Sequence, residues 1–228
     1  MMANFSIHTN SDNSVIVEFS DDISIELTRY ILSAKEIVER NRISGFIQAV
    51  PAYNSLLVII EPSRFSASRV IEKLETLLRN IEPLSLKHSK KHIVPVCYHT
   101  SLAPDLEQVA KHNGLTAEEV IEVHTRGEYP VYMLGFLPGF LYLGGLDTTI
   151  HSPRRNDPRP KVEAGSVGIG GDQTGIYPID SPGGWNIIGK TPIPLLDITR
   201  KDHPAIAKPL DTIQFKAISL EEFKQYEH

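Results

Sequence analysis

Glycine is distributed so unevenly along this chain that its two halves cannot share one kind of fold. Of the 15 glycines, 12 fall between Gly135 and Gly189, whereas the first 113 residues contain only Gly45. Glycine weakens helices and relaxes backbone restrictions, so the early part is free to form long regular elements and the later part is not. The early part does show clean periodicity. Val15, Val17 and Phe19 alternate as in a half-buried strand. Ile23, Leu27, Ile31, Ala34 and Val38 recur every three or four positions and share one helix face, with Asp22 or Ser24 placed to cap it. Phe46–Val50 and Ser55–Ile60 read as two strands joined by Pro51-Ala52-Tyr53-Asn54, and Val70, Ile71, Leu74, Leu77, Leu78 and Ile81 trace a second amphipathic helix. With His92–Tyr98 as a further strand, the order is β-α-β-β-α-β, the split motif of a ferredoxin-like α+β domain.

The later part begins with two short helices. Leu102–His112 runs into Asn113-Gly114, a left-handed stop, and Thr116-Ala117-Glu118-Glu119 has the form of a capping box. After Gly127 the helical signal ends. Short β-like runs (Val131–Phe136, Ser166–Ile169, Gly175–Ile179, Trp185–Ile188 and Thr212–Ile218) are separated by glycine and proline, as in a closed β-barrel. The expected organisation is an α+β domain over residues 1–90 and a β-barrel domain, with short helices at its start, over residues 91–228.

Composition narrows the function classes. A formal net charge of −5, without a long basic run, argues against a nucleic-acid binder, which needs clustered cations for phosphates. The one basic patch, Lys87, Lys90 and Lys91 with His88 and His92, reads as a solvated linker. A single cysteine, Cys97, allows neither an internal disulfide nor a cysteine-based zinc site, and its apolar surroundings suit a small buried hydrophobe. No basic segment precedes an apolar run at the start, and the longest aliphatic run, Leu56–Ile60, cannot cross a bilayer. A cytoplasmic location away from membranes is expected.

Gly184-Trp185-Asn186-Ile187-Ile188-Gly189-Lys190-Thr191 satisfies the Walker A pattern. A phosphate loop needs a helix directly after it, however, and here Pro192 and Pro194 follow. The segment reads as a strand. His124 lacks a second ligand at helical spacing and reads as a core residue, while His151 and His203 read as loop residues suited at most to acid–base work. Arg154, Arg155, Arg159 and Lys161 surround Pro153, Pro158 and Pro160. Two readings stand for this stiffened loop: a clamp for a carboxylate or phosphate, or a solvated charged surface. Gln173, Thr174 and Tyr177 set polar groups among small residues, and Ser181-Pro182-Gly183-Gly184-Trp185 adds a hydroxyl and the only tryptophan, either core or ligand wall. Together these segments favour a small-molecule site.

Several strings carry a family resemblance: Tyr132-Met133-Leu134-Gly135-Phe136-Leu137-Pro138-Gly139-Phe140, Pro153-Arg154-Arg155, Pro158-Arg159, Ala164-Gly165-Ser166-Val167-Gly168-Ile169, Gln173-Thr174-Gly175-Ile176-Tyr177-Pro178 and Ser181 through Pro192. Pro51-Ala52-Tyr53 and Pro104-Asp105-Leu106 fit as well. The chain thus resembles the allophanate hydrolase subunit 1, or carboxyltransferase C/D, family, the group that contains KipI and the B-type subunit of 5-oxoprolinase. The resemblance implies that the barrel is cyclophilin-like. It also implies membership of an ATP-dependent complex that converts 5-oxoproline to L-glutamate, with ATP bound by the complex. The expected partners are its KipA-like and LamB/YcsF-like subunits. Alternative implications are inhibition of a sensor histidine kinase, and a carboxyltransferase half acting on urea or allophanate, although this chain carries no biotin motif. Under the main reading Arg159, Lys161, Gln173 and Tyr177 are the candidate catalytic residues. Arg154, Ser166, Thr174, Ser181, Gly183, Gly184 and Trp185 are the candidate substrate-binding residues. Two positions depart from the pattern: His99 stands where Asp commonly follows Cys-Tyr, and Lys190 replaces Arg before Thr-Pro.

Overall fold

The computed structural model describes residues 4–20, 22–41, 43–200 and 203–226. The chain forms two compact units, Met1–His88 and Ser89–His228.

In the first unit, strands β1 (Phe5–Ser11) and β2 (Ser14–Phe19) form a hairpin and lead into helix α1 (Ile25–Arg40). Strands β3 (Phe46–Pro51) and β4 (Ser55–Ile60) form a second hairpin and lead into helix α2 (Ala67–Leu78). The four strands make one antiparallel sheet in the order β1-β2-β4-β3. Of the two candidate caps, Ser24 takes the role, accepting a hydrogen bond from the Leu27 amide. The alternation read from the sequence puts Val15, Val17, Phe19, Leu56, Val58 and Ile60 on one sheet face. There they share a core with Leu27, Ile31, Ala34, Val38, Val70, Leu74 and Leu78 of the helices.

This is the expected ferredoxin-like arrangement, with one difference in how the chain completes it. In the split motif the strand after the second helix pairs with the first strand of the motif. Here β1, ahead of the motif in sequence, holds that place beside β2. The strand after α2 is β5 (Lys91–Cys97), and it belongs to the barrel of the second unit. A local hairpin closed across Ser11–Ser14 needs far less loop-closure entropy than a return crossover, which is why a strand of modest apolar pattern suffices.

The second unit continues with helices α3 (Leu106–Asn113) and α4 (Ala117–Arg126), then strands β6 (Tyr129–Leu134), β7 (Leu141–Leu143), β8 (Arg159–Val162), β9 (Ser166–Gly170), β10 (Gln173–Ile176), β11 (Ser181–Gly183), β12 (Asn186–Lys190) and β13 (Thr212–Ile218), and ends with helix α5 (Leu220–Gln225). Seven strands close into a barrel in the order β10-β7-β6-β13-β5-β12-β9, while β8 and β11 form a separate two-stranded ribbon. This is the cyclophilin-like barrel the resemblance implied. The β13–β5 pair is parallel and the other barrel pairs are antiparallel. Gly114 stops α3 at a φ of 69°, and the Thr116–Glu119 capping box starts α4 with both of its hydrogen bonds formed. The Walker-like segment is β12, a strand with its lysine ion-paired to Glu163 at 2.5 Å. Cys97 is buried and free. Among the described residues no helix is long and apolar enough to cross a membrane.

The barrel core contains a polar chain of hydrogen bonds. His124, fully buried on α4, stacks on Phe215 with ring centroids 4.4 Å apart. Its Nε2 lies 2.9 Å from Thr174 Oγ1 and its Nδ1 2.7 Å from the Tyr98 hydroxyl. Thr174 donates its own proton to the Gly168 carbonyl, so it accepts from Nε2–H, and Tyr98 must then donate to Nδ1. One neutral tautomer satisfies every group, and no charge is left in the core. The sequence reading of His124 as a core residue therefore holds.

Burial pushes the His124 imidazole from 6.5 down to about 3. The unfolded chain thus takes up a proton below 6.5 that the folded chain refuses. Stability from this group is complete above pH 6.5 and falls by about 1.4 kcal/mol per pH unit on acidification toward pH 3. Urea denaturation between pH 7 and pH 4 measures this loss. The His124→Gln variant, less stable at neutral pH, is expected to lose that portion of the slope, and an unchanged slope would contradict it.

Candidate functional site

The proline-stiffened loop is organised by a residue fifty positions upstream. Asp105 opens α3, but its side chain makes no capping bond to that helix. Its carboxylate is buried and receives four hydrogen bonds. Arg159 donates to both oxygens at 2.7 and 2.8 Å, Arg155 Nη1 donates at 3.0 Å, and the Ile187 amide of β12 at 2.6 Å. Asp105 also donates its own amide to the Ile187 carbonyl at 2.9 Å. Two further bonds complete the frame: Arg155 N donates to the Gly184 carbonyl at 2.8 Å, and Asn186 Nδ2 donates to the Pro153 carbonyl at 2.8 Å. A fork-to-fork Arg–carboxylate pair fixes both distance and plane, so the loop is held in one conformation.

Beside this frame stands an aromatic cluster outside the main barrel core. Phe140, Tyr177 and Trp185 are buried there with Val162 and Ile187, and Tyr142 packs against them. Phe140 lies edge-on to Tyr142, Tyr177 and Trp185, with centroids 4.9, 5.5 and 5.6 Å away. The Trp185 ring can lie flat on the barrel only because Gly170 has no side chain, since a Cβ there would come within 2.4 Å of the ring. Burial pushes the Tyr177 hydroxyl above the ordinary phenol range, against the pull of the Trp185 backbone and of Arg154 and Arg159. At neutral pH Tyr177 is therefore a hydrogen-bonding phenol, not a base.

The expected site residues divide by where the fold places them. Arg159, Tyr177, Gly183 and Trp185 come together at this cluster; a Cβ on Gly183 would lie 2.5 Å from the Tyr177 hydroxyl. The Arg159 Nη1 and Nη2 groups are committed to Asp105. Arg154 is exposed, carries no ion pair among the described residues, and is close enough to influence Tyr142 and Tyr177. Gly184 serves through its carbonyl as the anchor for Arg155. Lys161 is exposed and paired with Asp180 at 2.9 Å. Thr174 points into the barrel core, where its hydroxyl is shared by His124 and Gly168. Ser166 opens β9 and is buried, while Gln173 opens β10, half-buried, opposite Gly170. Ser181 Oγ is buried and has no hydrogen-bond partner among the described residues. Asp105 and Asn186 are site-building residues that residue-by-residue reading passed over. The signal for Asp105 was present in Pro104-Asp105-Leu106, but the expected helix over Leu102–His112 placed Asp105 within its first turn, whereas α3 starts at Leu106. Among the described residues no group of three or more His, Cys, Asp or Glu side chains is arranged to hold a metal ion.

The sequence pattern of the carboxyltransferase domain, subdomain C and D, matches residues 5–207. The chain is 38% identical to the B-type subunit of 5-oxoprolinase from Bacillus subtilis strain 168, over 99% of this chain and 98% of that protein. It is also 38% identical to the protein of the same name from Escherichia coli O157:H7, over 90% of this chain and 92% of that one. Among solved structures, the protein TTHA0988 superimposes with a TM-score of 0.75 at 34% identity, covering 91% of this chain and 40% of its own.

Two of the buried polar side chains make opposite predictions. Asp105→Ala strands two partly buried guanidinium groups and one amide, and is expected to lower unfolding free energy by about 3–5 kcal/mol. Ser181→Ala removes a hydroxyl that makes no bond among the described residues, so thermal stability should stay the same or rise slightly. Calorimetry of both variants checks this, and an Asp105→Ala protein as stable as the parent would refute the role given to the carboxylate.

Proposed function

The chain belongs to the carboxyltransferase subdomain C and D family, and on that premise we propose that it is the B-type subunit of an ATP-dependent 5-oxoprolinase. The observation that carries this reading is the near end-to-end match, 38% identical, to a protein bearing that name. A subunit name entails partners, and the proposal assigns two, one KipA-like and one LamB/YcsF-like. The complex binds ATP and opens 5-oxoproline to L-glutamate.

The chemistry explains why such a reaction calls for several proteins and ATP. A lactam is resonance-stabilised and a poor electrophile. Transfer of the ATP γ-phosphoryl group to the lactam oxygen releases ADP and makes the ring carbon reactive. Water then adds to that carbon, the C–N bond opens to free the amine, and a second water releases phosphate to leave glutamate. Negative charge builds on the phosphoryl oxygens, and fixed cations stabilise it. In this proposal Arg154, exposed and without an ion pair among the described residues, is the cation available for that charge, and Lys161, exposed, exchanges Asp180 for the phosphoryl oxygens. Arg159 holds the loop through Asp105, and Tyr177 with Gln173 supplies hydrogen bonds. The kinase-inhibitor and carboxyl-transfer readings rank behind this one, because full-length relatives carry the 5-oxoprolinase name.

Co-expression with the two partner proteins, followed by measurement of 5-oxoproline-dependent glutamate and ADP, tests the proposal. Turnover is expected only when all three chains are present. Arg154→Ala is expected to lower kcat/KM by about tenfold or more, the scale of one charge-assisted hydrogen bond. Full turnover from the partners alone would end the reading.

A further inference from the structure

A cleft of ≈ 780 Å³ opens in the barrel unit at the start of β5, lined in part by Leu134, Pro138, Leu196 and Ile206. Neither the Asp105 frame nor the aromatic cluster lines it. Its volume is that of a small-molecule site, and its mixture of an apolar wall with a few polar groups is typical of one. The polar groups are three cations, Lys90, Arg200 and Lys208, two histidines, His92 and His203, and one carboxylate, Asp211.

The carboxylate oxygens are taken up by the protein itself. Asp211 Oδ1 accepts from the Lys90 amide at 2.8 Å, and Oδ2 accepts from the Lys208 amide at 3.1 Å and lies 3.0 Å from His92 Nε2. Burial pushes the Asp211 carboxyl up, but these bonds together hold it below the usual carboxylate range. An ionised Asp211 keeps a proton on His92 Nε2 in either charge state of the ring. The imidazole is thereby oriented, and in its neutral form Nδ1 keeps its lone pair. Arg200 is offset by Asp197 at 3.2 Å, whereas the Lys90 and Lys208 ammonium groups have no ion pair among the described residues. Set against Asp211 and Asp197, the three cations leave the cleft one net positive charge among the described residues, with two ammonium groups free of ion pairs and an oriented imidazole against an apolar wall.

Such a surface fits one anionic head on a compact apolar body. We infer that this cleft binds a small carboxylic acid, with Lys90 and Lys208 receiving the carboxylate and His92, positioned by Asp211, hydrogen-bonding to the ligand. Lys87, Lys90 and Lys91 are exposed, as expected of a solvated linker, and the inference adds a binding role for Lys90 and His92 at the end of that run. The inference goes beyond the 5-oxoprolinase reading and does not depend on it. Binding is read on this chain alone, whereas that reading is decided by turnover of the assembled complex.

The test is titration of the full chain with cyclopentanecarboxylate, L-5-oxoproline, the methyl esters of both, and inorganic phosphate. Calorimetry gives affinities, and amide and imidazole NMR shifts locate the site. At least one carboxylate is expected to bind with shifts at His92, His203 and Ile206, and its ester about tenfold or more weaker. Lys208→Ala, an exposed substitution that leaves the Asp211 bonds to backbone intact, is expected to weaken the acid about tenfold while leaving the melting temperature unchanged. Shifts confined to other surfaces, an ester that binds as well as its acid, tighter binding of phosphate than of any carboxylate, or an unaffected Lys208→Ala protein would each overturn the inference. So would the absence of any binding at millimolar ligand.

Discussion

The Asp105 carboxylate gathers four hydrogen bonds from two distant stretches of chain: Arg155 and Arg159 on the proline-stiffened loop, and the Ile187 amide on β12. A buried carboxylate is tolerable only if its lone pairs are filled, and here each oxygen has two donors. Because the carboxylate sits at the opening of α3, one residue fixes a helix, a loop and a barrel strand with respect to each other. The ordering has an outward effect too. Arg155 and Arg159 are drawn inward, so Arg154 is the arginine of the cluster that stays exposed beside Tyr142 and Tyr177.

A second buried polar system, His124 with Tyr98 and Thr174, solves the same solvation problem in the opposite way. It contains no formal charge, and its bonds close among hydroxyls, an imidazole and a backbone carbonyl. The ionic frame keeps a quarter of each arginine side chain exposed, whereas His124 and Thr174 of the neutral one are fully buried in the barrel. That division follows the steep rise of the cost of charge with burial.

Local patterns in the sequence carried most of the elements. The periodic positions of α1 and α2, the Thr116–Glu119 capping box, the Gly114 stop and the span of β13 all follow from rules that act within a few residues. The prolines after Thr191 similarly sufficed to reject a phosphate loop in favour of β12. What stayed hidden depends on pairing across long separations. Asp105 meets Arg159 across 54 positions and His124 meets Thr174 across 50, and neither partner marks the other in sequence. The destination of β5 was ambiguous for the same reason, since it completed the split motif by order while the expected boundary at residue 91 put it in the barrel domain. Its alternating residues suit either sheet, and only Thr212–Ile218, lying alongside it, decides the matter. His92 and Asp211 are 119 positions apart, which is why a surface-like histidine gave no hint of the cleft.

The parallel seam between β5 and β13 has a consequence for how the protein is made. The first barrel strand to leave the ribosome must wait for the last, since the Lys90 amide finds its acceptor on Asp211 only after 121 further residues have been added. Until then the apolar side chains of β5 at Val94 and Val96 lack their main neighbouring strand. A contact of such long range makes for slow closure and a prolonged interval in which an unpaired edge is exposed. The sheet of the first unit draws all four of its strands from the chain before residue 61 and can pair them while the barrel is still being synthesised. The edge of β5 that β13 covers is therefore the last part of the barrel to be paired.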